Sequence, residues 1–172
     1  MSLAARVYTR ARLTGQFRLR SGATSTEYFD KYLLEADPAL LREIAERLAA
    51  LVPGDADVVA GLELGGVPLV TMLSQVTGLP AAFVRKRAKE YGTCRLAEGA
   101  PVAGRRVVVV EDVVTSGGQV VASCGDLRAL GAKITRVLCV IDREQGGRAR
   151  LEAANLQLAA LFTWSDLSSA LY

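Results

Sequence analysis

Short apolar runs recur along the chain and alternate with segments whose apolar residues follow helical spacing. The apolar runs lie at residues 58–60, 81–84, 107–110, 137–141 and 158–161. Runs of this kind are typical of strands that are buried on both faces. Segments that are predicted to be helical separate several of them, around residues 66–77, 117–130 and 147–154. The alternation predicts an α/β fold with a mostly parallel central sheet flanked by helices.

A different pattern precedes these runs. Asp37-Pro38 predicts the start of a helix that Pro53-Gly54 ends. Upstream, the chain predicts an amphipathic helix or a loose end, then a strand at 16–20, a turn at 21–25 and a second strand at 28–33. We expect residues 1–36 to form a small N-terminal segment and residues 37–172 to form the α/β core, within one compact domain overall.

The connection between Val84 and Arg106 contains no convincing helix. It opens with the cationic run at 85–89 and continues through glycine- and proline-punctuated residues. A stretch of this length without structure, inside a compact domain, is either a functional lid or a misread element.

Charge and cysteine content narrow the class of protein. The 172 residues include 21 Lys and Arg against 18 Asp and Glu, whereas a general nucleic-acid binder is expected to be more lopsided in charge. We expect neither a membrane span nor a secretory signal, because no apolar run is long enough. Cys94, Cys124 and Cys139 are too few and too widely spaced for a disulfide framework or a metal knuckle, which favours a reduced cytoplasmic location.

The chain contains no histidine. This excludes histidine-dependent nucleophile triads, HExxH metal sites and histidine general bases. Any chemistry must use carboxylates, cations, hydroxyls, thiols, backbone dipoles or a metal that arrives with the substrate.

The strongest functional pattern follows the valine run at 107–110. Glu111 and Asp112 lie where α/β sheets bind their ligands, and a Thr-Ser-Gly-Gly sequence then leads into a helix. Hydroxyls and backbone N–H groups at a helix start suit a phosphate, whereas two acids suit the hydroxyls of a sugar. The pattern indicates a phosphorylated sugar, although an ordinary strand, turn and capped helix would look similar.

This segment resembles the 5-phosphoribosyl-1-pyrophosphate (PRPP) motif of the type I phosphoribosyltransferases. The resemblance implies that the acid pair faces the ribose hydroxyls and that the loop at 115–118 holds the 5-phosphate. The residues expected to contact PRPP here are Glu111, Asp112, Val113, Val114, Thr115, Ser116, Gly117, Gly118 and Gln119. An earlier glycine-rich turn resembles the pyrophosphate loop of the same superfamily, although alone it would be a plain βα turn. Its expected contacts are Glu63, Leu64, Gly65 and Gly66.

The cationic run at 85–89 is similar to the catalytic loop of the orotate phosphoribosyltransferase family, which reads Arg-Lys-x-x-Lys-x-His-Gly. Alone, such a run would be a solvated face. Arg85, Lys86 and Lys89 match the pattern, and Tyr91 stands where many members carry His. The resemblance implies that these four residues contact PRPP, and that the three cations act in catalysis together with Asp112. In the family this loop reaches across a two-fold homodimer.

Two further segments resemble the parts of that family that bind the base. The N-terminal segment is similar to a hood that reads Phe-x-Leu-Lys-Ser-Gly, with Arg in place of Lys, and the sequence at 142–147 is similar to the family's Asp-Arg-Gln/Glu-x-Gly-Gly. Each would otherwise be an ordinary hairpin or a charged turn. The residues expected to contact orotate are Arg20, Tyr28, Phe29, Thr115 and Arg143. We expect Phe162, Trp164 and the cysteines to serve packing.

Together these segments imply transfer of the 5-phosphoribosyl group from PRPP to orotate, which releases pyrophosphate. The expected cofactor is Mg²⁺ held mainly by PRPP, with no metal ligand from the chain itself. The expected partner is a second copy of the chain, with neither nucleic acid nor membrane. Two alternatives remain: a phosphoribosyltransferase for another nucleobase, and a PRPP-sensing regulator that binds nucleic acid.

Overall fold

The computed structural model of the protein describes residues 1–18, 22, 24–88 and 90–170, and its helices and strands alternate as the apolar pattern predicts. The helices are α1 (Leu3–Ala11), α2 (Tyr32–Glu35), α3 (Pro38–Ala49), α4 (Glu63–Thr77), α5 (Gly118–Ala129), α6 (Gly147–Ala153) and α7 (Trp164–Ser169). The strands are β1 (Arg12–Arg18), β2 (Thr24–Phe29), β3 (Val58–Leu62), β4 (Ala81–Val84), β5 (Ala97–Gly99), β6 (Arg106–Val114), β7 (Lys133–Asp142) and β8 (Gln157–Thr163).

Within the described residues, six strands form the central sheet in the order β5-β4-β3-β6-β7-β8, and β1 pairs with β2 in a separate hairpin. All neighbours in the central sheet are parallel except β4 and β5. The chain moves from β3 to β4 on one side and later returns to β6 on the other side of β3. The strand order therefore reverses between β3 and β6, which leaves a crevice outside their carboxyl ends.

The valines of β6 point alternately to the two faces of the sheet and join two cores. Val107 and Val109 share a core with residues of α5 and α6. Val108 and Val110 share the second core with residues of α1, α3 and α4. The α/β fold, with helices on both faces of a mostly parallel sheet, is confirmed.

The N-terminal segment has the predicted second strand, but the predicted bounds of 28–33 were wrong beyond residue 29. β2 ends at Phe29, and residues 32–35 form the short helix α2 instead. Asp30 turns the chain, because its Oδ1 accepts a hydrogen bond from the Tyr32 N–H at 3.0 Å. Its own N–H donates to the Ala11 carbonyl at 2.7 Å. This local turn overrides the strand propensity of the aromatic residues around it.

The remaining N-terminal predictions hold in part. The amphipathic first helix is confirmed as α1, whereas β1 starts earlier than predicted and directly follows that helix. β2 begins inside the predicted turn at 21–25, of which residues 21 and 23 lie outside the described part of the chain. The boundary between residues 36 and 37 stays a prediction.

The predicted long connection between β4 and β6 is confirmed as free of helix in its described part. It contains the short edge strand β5, which the sequence did not reveal. No helix among the described residues has both the length and the apolar character needed to cross a bilayer.

Helix α4 lies against β3 with almost no space between the two backbones. A methyl group added at Gly61 of β3 would lie 2.6 Å from Val70 Cγ1 and 2.7 Å from the carbonyl carbon of Gly66. Added at Gly66, it would lie 2.8 Å from the carbonyl oxygen of Val110 in β6. Glycine is required where backbones approach this closely, so these two residues seat the first turn of α4 on the sheet.

We expect Gly61→Ala to lower the free energy of unfolding by roughly 1–3 kcal/mol, because the added methyl group overpacks the contact between strand and helix. Gly125→Ala is the matched control, since Gly125 lies in α5 and a methyl group there meets no atom within 4 Å. That change should raise stability by about 0.5–1 kcal/mol, because Ala favours a helix more than Gly does. Chemical denaturation followed by circular dichroism measures both variants. Equal losses of stability would contradict the close approach.

Candidate active site

Two of the segments predicted to bind PRPP, 63–66 and 111–119, lie at the carboxyl ends of β3 and β6. β3 leads directly into α4 at Glu63, and β6 leads through residues 115–117 into α5. The two strands are parallel, with Gly61 opposite Val110. The first turn of α4 and the loop at 115–117 therefore lie at the same edge of the sheet, at the point where the strand order reverses.

The loop after β6 is shaped to receive an anion. Thr115 and Ser116 are exposed, and neither hydroxyl has a hydrogen-bond partner among the described residues. Gly117 has a φ of 73° and caps α5 without a side chain. A methyl group at Gly117 would lie 2.6 Å from Leu151 Cδ1. The first N–H groups of α5 thus meet two free hydroxyls beside a glycine turn, an arrangement that suits a phosphate.

The side chains of three other residues predicted to contact PRPP are buried, partly buried or already hydrogen-bonded. Val114 is buried in the core, and its carbonyl accepts a hydrogen bond from the Arg143 N–H at 2.9 Å. Val113 is only partly exposed. Gln119 is exposed, and its side chain donates to Ser123 Oγ at 3.2 Å. The two valines therefore shape the strand end and offer backbone groups.

The acid pair consists of one half-buried and one buried carboxylate. Glu111 Oε1 accepts a hydrogen bond from the Asp112 N–H at 3.0 Å. Asp112 Oδ1 accepts one from the Val113 N–H at 2.6 Å. Asp112 Oδ2 lies 2.6 Å from the Lys31 ammonium, which the sequence analysis did not single out. Asp112 is therefore held on both oxygens, whereas Glu111 keeps an oxygen without such a bond.

Burial and charge shift the pKa values of this cluster. Burial raises the pKa of Glu111 well above its usual range, and the adjacent Asp112 carboxylate raises it further. Burial acts to lower the pKa of Lys31, but its hydrogen bond and charge interaction with Asp112 outweigh that effect and leave it raised. The site thus holds Lys31 as a cation and disfavours a second ionised carboxylate beside Asp112.

The first turn of α4, residues 63–66, stands where the sequence predicts a loop and lies directly against this acid pair. A methyl group at Gly65 would lie 2.6 Å from Asp112 Cγ and 3.0 Å from the Lys31 ammonium. Glu63 has a positive φ of 53°, and the Leu64 side chain is exposed. Glu63 Oε1 accepts a hydrogen bond from the Lys86 N–H, which ties this loop to the start of the cationic segment. The structure therefore brings the two predicted PRPP loops together.

The cationic segment after β4 lies on the surface. Arg85 and Lys86 are exposed and form no ion pair with the described residues. The Arg85 N–H donates to the Leu96 carbonyl at 2.9 Å and closes the base of the segment. Tyr91 is 75% exposed, so its phenol is accessible to a ligand. Lys89 lies outside the described residues.

A cleft of about 330 Å³ opens between the N-terminal hairpin and the strand ends of β7 and β8. The Arg143 guanidinium lies 3.8 Å from the centre of the Trp164 ring, and Phe29 meets the same ring edge-on at 5.4 Å. Burial lowers the pKa of Arg143, so this cation gains from an anionic partner. Its guanidinium has no hydrogen-bond acceptor among the described residues. The cleft is lined by Tyr8, Arg12, Ser25, Glu27, Tyr28, Phe29, Arg143 and Trp164.

The backbone on both sides of Arg143 is anchored by carboxylates. Asp142 Oδ1 accepts a hydrogen bond from the Glu144 N–H at 2.9 Å, and its Oδ2 accepts one from Arg148 at 3.1 Å. Glu144 Oε2 accepts from the Ser165 N–H at 2.9 Å and from the Ser165 hydroxyl at 2.6 Å. These bonds connect the loop of Arg143 to the start of α7 beside Trp164.

The sequence did not identify three residues that lie in this region. Two other residues that it did identify are not among those that the structure describes. Trp164, assigned to packing alone, both packs and lines the cleft, and Tyr8 lies beside it. Its place at the end of β8 was the available signal, since Asp142 and Thr163 pair in adjacent parallel strands. Lys31 carried no signal beyond its charge. Arg20 lies outside the described residues, as Lys89 does.

Comparisons with known proteins agree with this geometry. The family described as the phosphoribosyl transferase domain matches residues 33–155. Orotate phosphoribosyltransferase of Nocardioides sp. is 53% identical over 169 residues, which cover 98% of this chain and 94% of that protein. Orotate phosphoribosyltransferase of Halobacterium salinarum is 46% identical over 156 residues, with coverage of 91% and 89%.

A solved structure provides the same agreement in three dimensions. The crystal structure of Mycobacterium tuberculosis orotate phosphoribosyltransferase in complex with PRPP superposes with a TM-score of 0.83, at 28% identity and 96% coverage of each chain. The likeness thus extends over nearly the whole chain, in sequence and in fold. The chain belongs to the phosphoribosyltransferase family and, within it, to the orotate phosphoribosyltransferases.

Proposed function

We propose that this chain transfers the 5-phosphoribosyl group from PRPP to orotate and forms orotidine 5'-monophosphate and pyrophosphate. One observation carries the proposal within the structure. The aromatic cleft with its unpaired Arg143 guanidinium adjoins the phosphate loop, because the Arg143 N–H bonds to the carbonyl of Val114 at the end of β6. A site for a flat anion therefore lies next to a site for a sugar phosphate.

PRPP would span the crevice between β3 and β6. Its 5-phosphate would occupy the loop at 115–118, where hydroxyls and helix N–H groups are free. Its ribose hydroxyls would face the acid pair, chiefly the free oxygen of Glu111. Its pyrophosphate would lie on the loop at 63–66, which touches Asp112 through Gly65. The exposed cations Arg85 and Lys86 and the phenol of Tyr91, with Lys89 of the same segment, would cover it.

Orotate would occupy the aromatic cleft. Its carboxylate or ring oxygens would accept hydrogen bonds from Arg143. The Arg143 guanidinium is partly buried beside Trp164, so an anionic partner would stabilise its charge. The ring would lie against Tyr28 and Phe29, since aromatic faces favour flat partners. Thr115 lies at the junction of the two subsites, and Arg20 stays a predicted partner of the orotate carboxylate.

The reaction requires no covalent intermediate on the protein. N1 of orotate forms a bond to the anomeric carbon of PRPP while the bond from that carbon to the pyrophosphate oxygen breaks. The proton that N1 carries passes to water or to the released pyrophosphate. Positive charge develops on the ribose and negative charge on the leaving pyrophosphate. The chain contributes orientation and, through Arg85 and the lysines of the segment at 85–89, cations that meet the leaving group once water is excluded.

We assign the magnesium ion to PRPP. The described residues contain no cluster of three or more His, Cys, Asp or Glu side chains that could hold a metal. Both carboxylate oxygens of Asp112 already have a partner, since Oδ2 pairs with Lys31 and Oδ1 accepts a hydrogen bond from the Val113 N–H. An ion that arrives on the oxygens of PRPP suits this arrangement, and it would help to neutralise the charge of the pyrophosphate.

We also propose that the protein is cytoplasmic and forms a homodimer. The described residues of the cationic segment at 85–88 are exposed, so a second copy of the chain is able to contact them. The three cysteines are free thiols, two of them buried, as is common in a reducing compartment.

A panel of bases tests the function. Purified protein with Mg²⁺ and PRPP receives orotate, uracil, hypoxanthine, guanine or adenine, and nucleotide and pyrophosphate are measured. We expect turnover with orotate alone, because Arg143 has no acceptor of its own and a neutral base supplies no negative charge. Turnover with another base and none with orotate would overturn the assignment of the cleft. PRPP binding without any turnover would favour the regulator.

Arg143→Gln tests the orotate subsite separately. We expect the KM for orotate to rise about ten- to a hundredfold with little change in the KM for PRPP, because a charge-assisted hydrogen bond contributes roughly 1.5–3 kcal/mol. Arg105→Gln is the matched control, since Arg105 is exposed and lies just before β6, at the opposite end of the sheet. Steady-state kinetics with each substrate varied in turn measures both. An unchanged orotate KM in Arg143→Gln would exclude this residue from the subsite.

A further inference from the structure

Lys31 connects the N-terminal segment to the acid pair and to the first turn of α4. It follows β2 and precedes α2, so it belongs to the part of the chain that forms the aromatic cleft. Its ammonium lies 2.6 Å from Asp112 Oδ2, and a methyl group at Gly65 would lie 3.0 Å from it. The Asp112 side chain is only 5% exposed. The ion pair is therefore largely shielded from solvent on its carboxylate side.

This ion pair determines how the acid pair is presented. Asp112 Oδ1 is fixed by the Val113 N–H and Oδ2 by Lys31. The Asp112 N–H in turn donates to Glu111 Oε1. The orientation of Glu111, the more accessible acid, therefore depends on the position of Asp112. Without the ammonium, Asp112 Oδ2 would be a buried oxygen with no compensating charge.

The surroundings of Lys31 contain a third carboxylate and little else that is polar. Glu35 of α2 lines the same small cavity as Lys31 and Asp112. The cavity walls are otherwise apolar, with side chains from α2, α3, α4, β6 and β7. Burial raises the pKa of Glu35 to about 8, and the charge of Asp112 acts in the same direction. Near neutral pH Glu35 is therefore favoured in its neutral form, which leaves the Lys31 ammonium to its contact with Asp112.

We propose that Lys31 is a positioning residue for PRPP, whose ammonium holds the acid pair in the orientation that binds ribose. The proposal rests on the function proposed above and adds a residue of the N-terminal segment to the sugar site. Occupation of the ribose site then depends on the same segment that borders the base. Lys31 itself need not touch the substrate.

The protonation state of Glu35 affects the same contact between Lys31 and Asp112. Its pKa lies above that of an ordinary carboxyl, so the group is neutral below about pH 8 and becomes charged above it. Once charged, it competes with Asp112 for the Lys31 ammonium. The titratable and charged groups that face it are Lys31, Asp112 and, through the acid pair, Glu111. PRPP binding should therefore weaken above pH 8.

Lys31→Met and Lys31→Arg test the proposal, with Lys133→Met as the matched control. Lys133 is exposed and begins β7 at the amino end of the sheet. We expect Lys31→Met to raise the Kd and KM for PRPP at least about tenfold, because the acid pair loses the charge that orients it, with the orotate KM within about twofold. Lys31→Arg should restore part of the affinity, and Lys133→Met should behave as wild type. Calorimetric PRPP binding gives the Kd without turnover.

The pH dependence separates positioning from a merely structural role. Wild-type protein should bind PRPP less tightly at pH 9 than at pH 7, whereas Glu35→Gln, which keeps the neutral form, should lose this difference. Normal PRPP affinity in Lys31→Met would overturn the proposal. So would Lys31→Met and Lys31→Arg with equal losses, or a Glu35→Gln profile identical to wild type. A wild-type protein that binds PRPP but does not convert orotate would refute the proposed function and leave the binding test of Lys31 intact.

Discussion

The close approach of α4 to the sheet is the constraint on which the rest of the site depends. Gly61 and Gly66 leave no space for a side chain between β3, β6 and the first turn of the helix. This contact brings the loop at 63–66 down onto Asp112, where Gly65 is again required. The parallel pairing of β3 with β6 then places the phosphate loop alongside. Backbone packing therefore fixes the first turn of α4 against the acid pair, at the edge of the sheet where we propose that PRPP binds.

Charge is distributed unevenly over this edge of the sheet. The phosphate loop offers hydroxyls and N–H groups without acceptors, and Arg143 lies on Trp164 without an anion. The acid pair, by contrast, is compensated internally by Lys31. Under the proposed function, substrate anions would complete the cationic subsites, whereas the ribose would meet a carboxylate that Lys31 already compensates. This division suits a reaction in which the protein neutralises a leaving group and takes no part in bond formation.

The sheet and the phosphate loop were predictable because their signals are local. The valine run followed by Glu111 and Asp112 predicts a buried strand whose acids lie at its carboxyl end, and the structure has both. Helix α2 was not predictable from aromatic propensity, because the Asp30 side chain turns the chain just before it. The contact of Lys31 with Asp112 joins residues far apart in sequence, and no pattern marks it. Trp164 was assigned to packing because its stacking on Arg143 depends on the pairing of β7 with β8. Helices and strands can be predicted from the periodicity of apolar residues. Contacts between residues on neighbouring strands can be identified only once the strand order of the sheet is known.

A crystal structure of the protein with orotidine 5'-monophosphate tests most directly whether these subsites form one active site. We expect the nucleotide phosphate to lie within hydrogen-bond distance of the N–H groups at Gly117 and Gly118. We also expect the ribose hydroxyls at Glu111 and the base carboxylate or ring oxygens at Arg143 inside the aromatic cleft. A nucleotide whose base lies outside that cleft, or whose phosphate lies away from the loop at 115–118, would contradict this expectation.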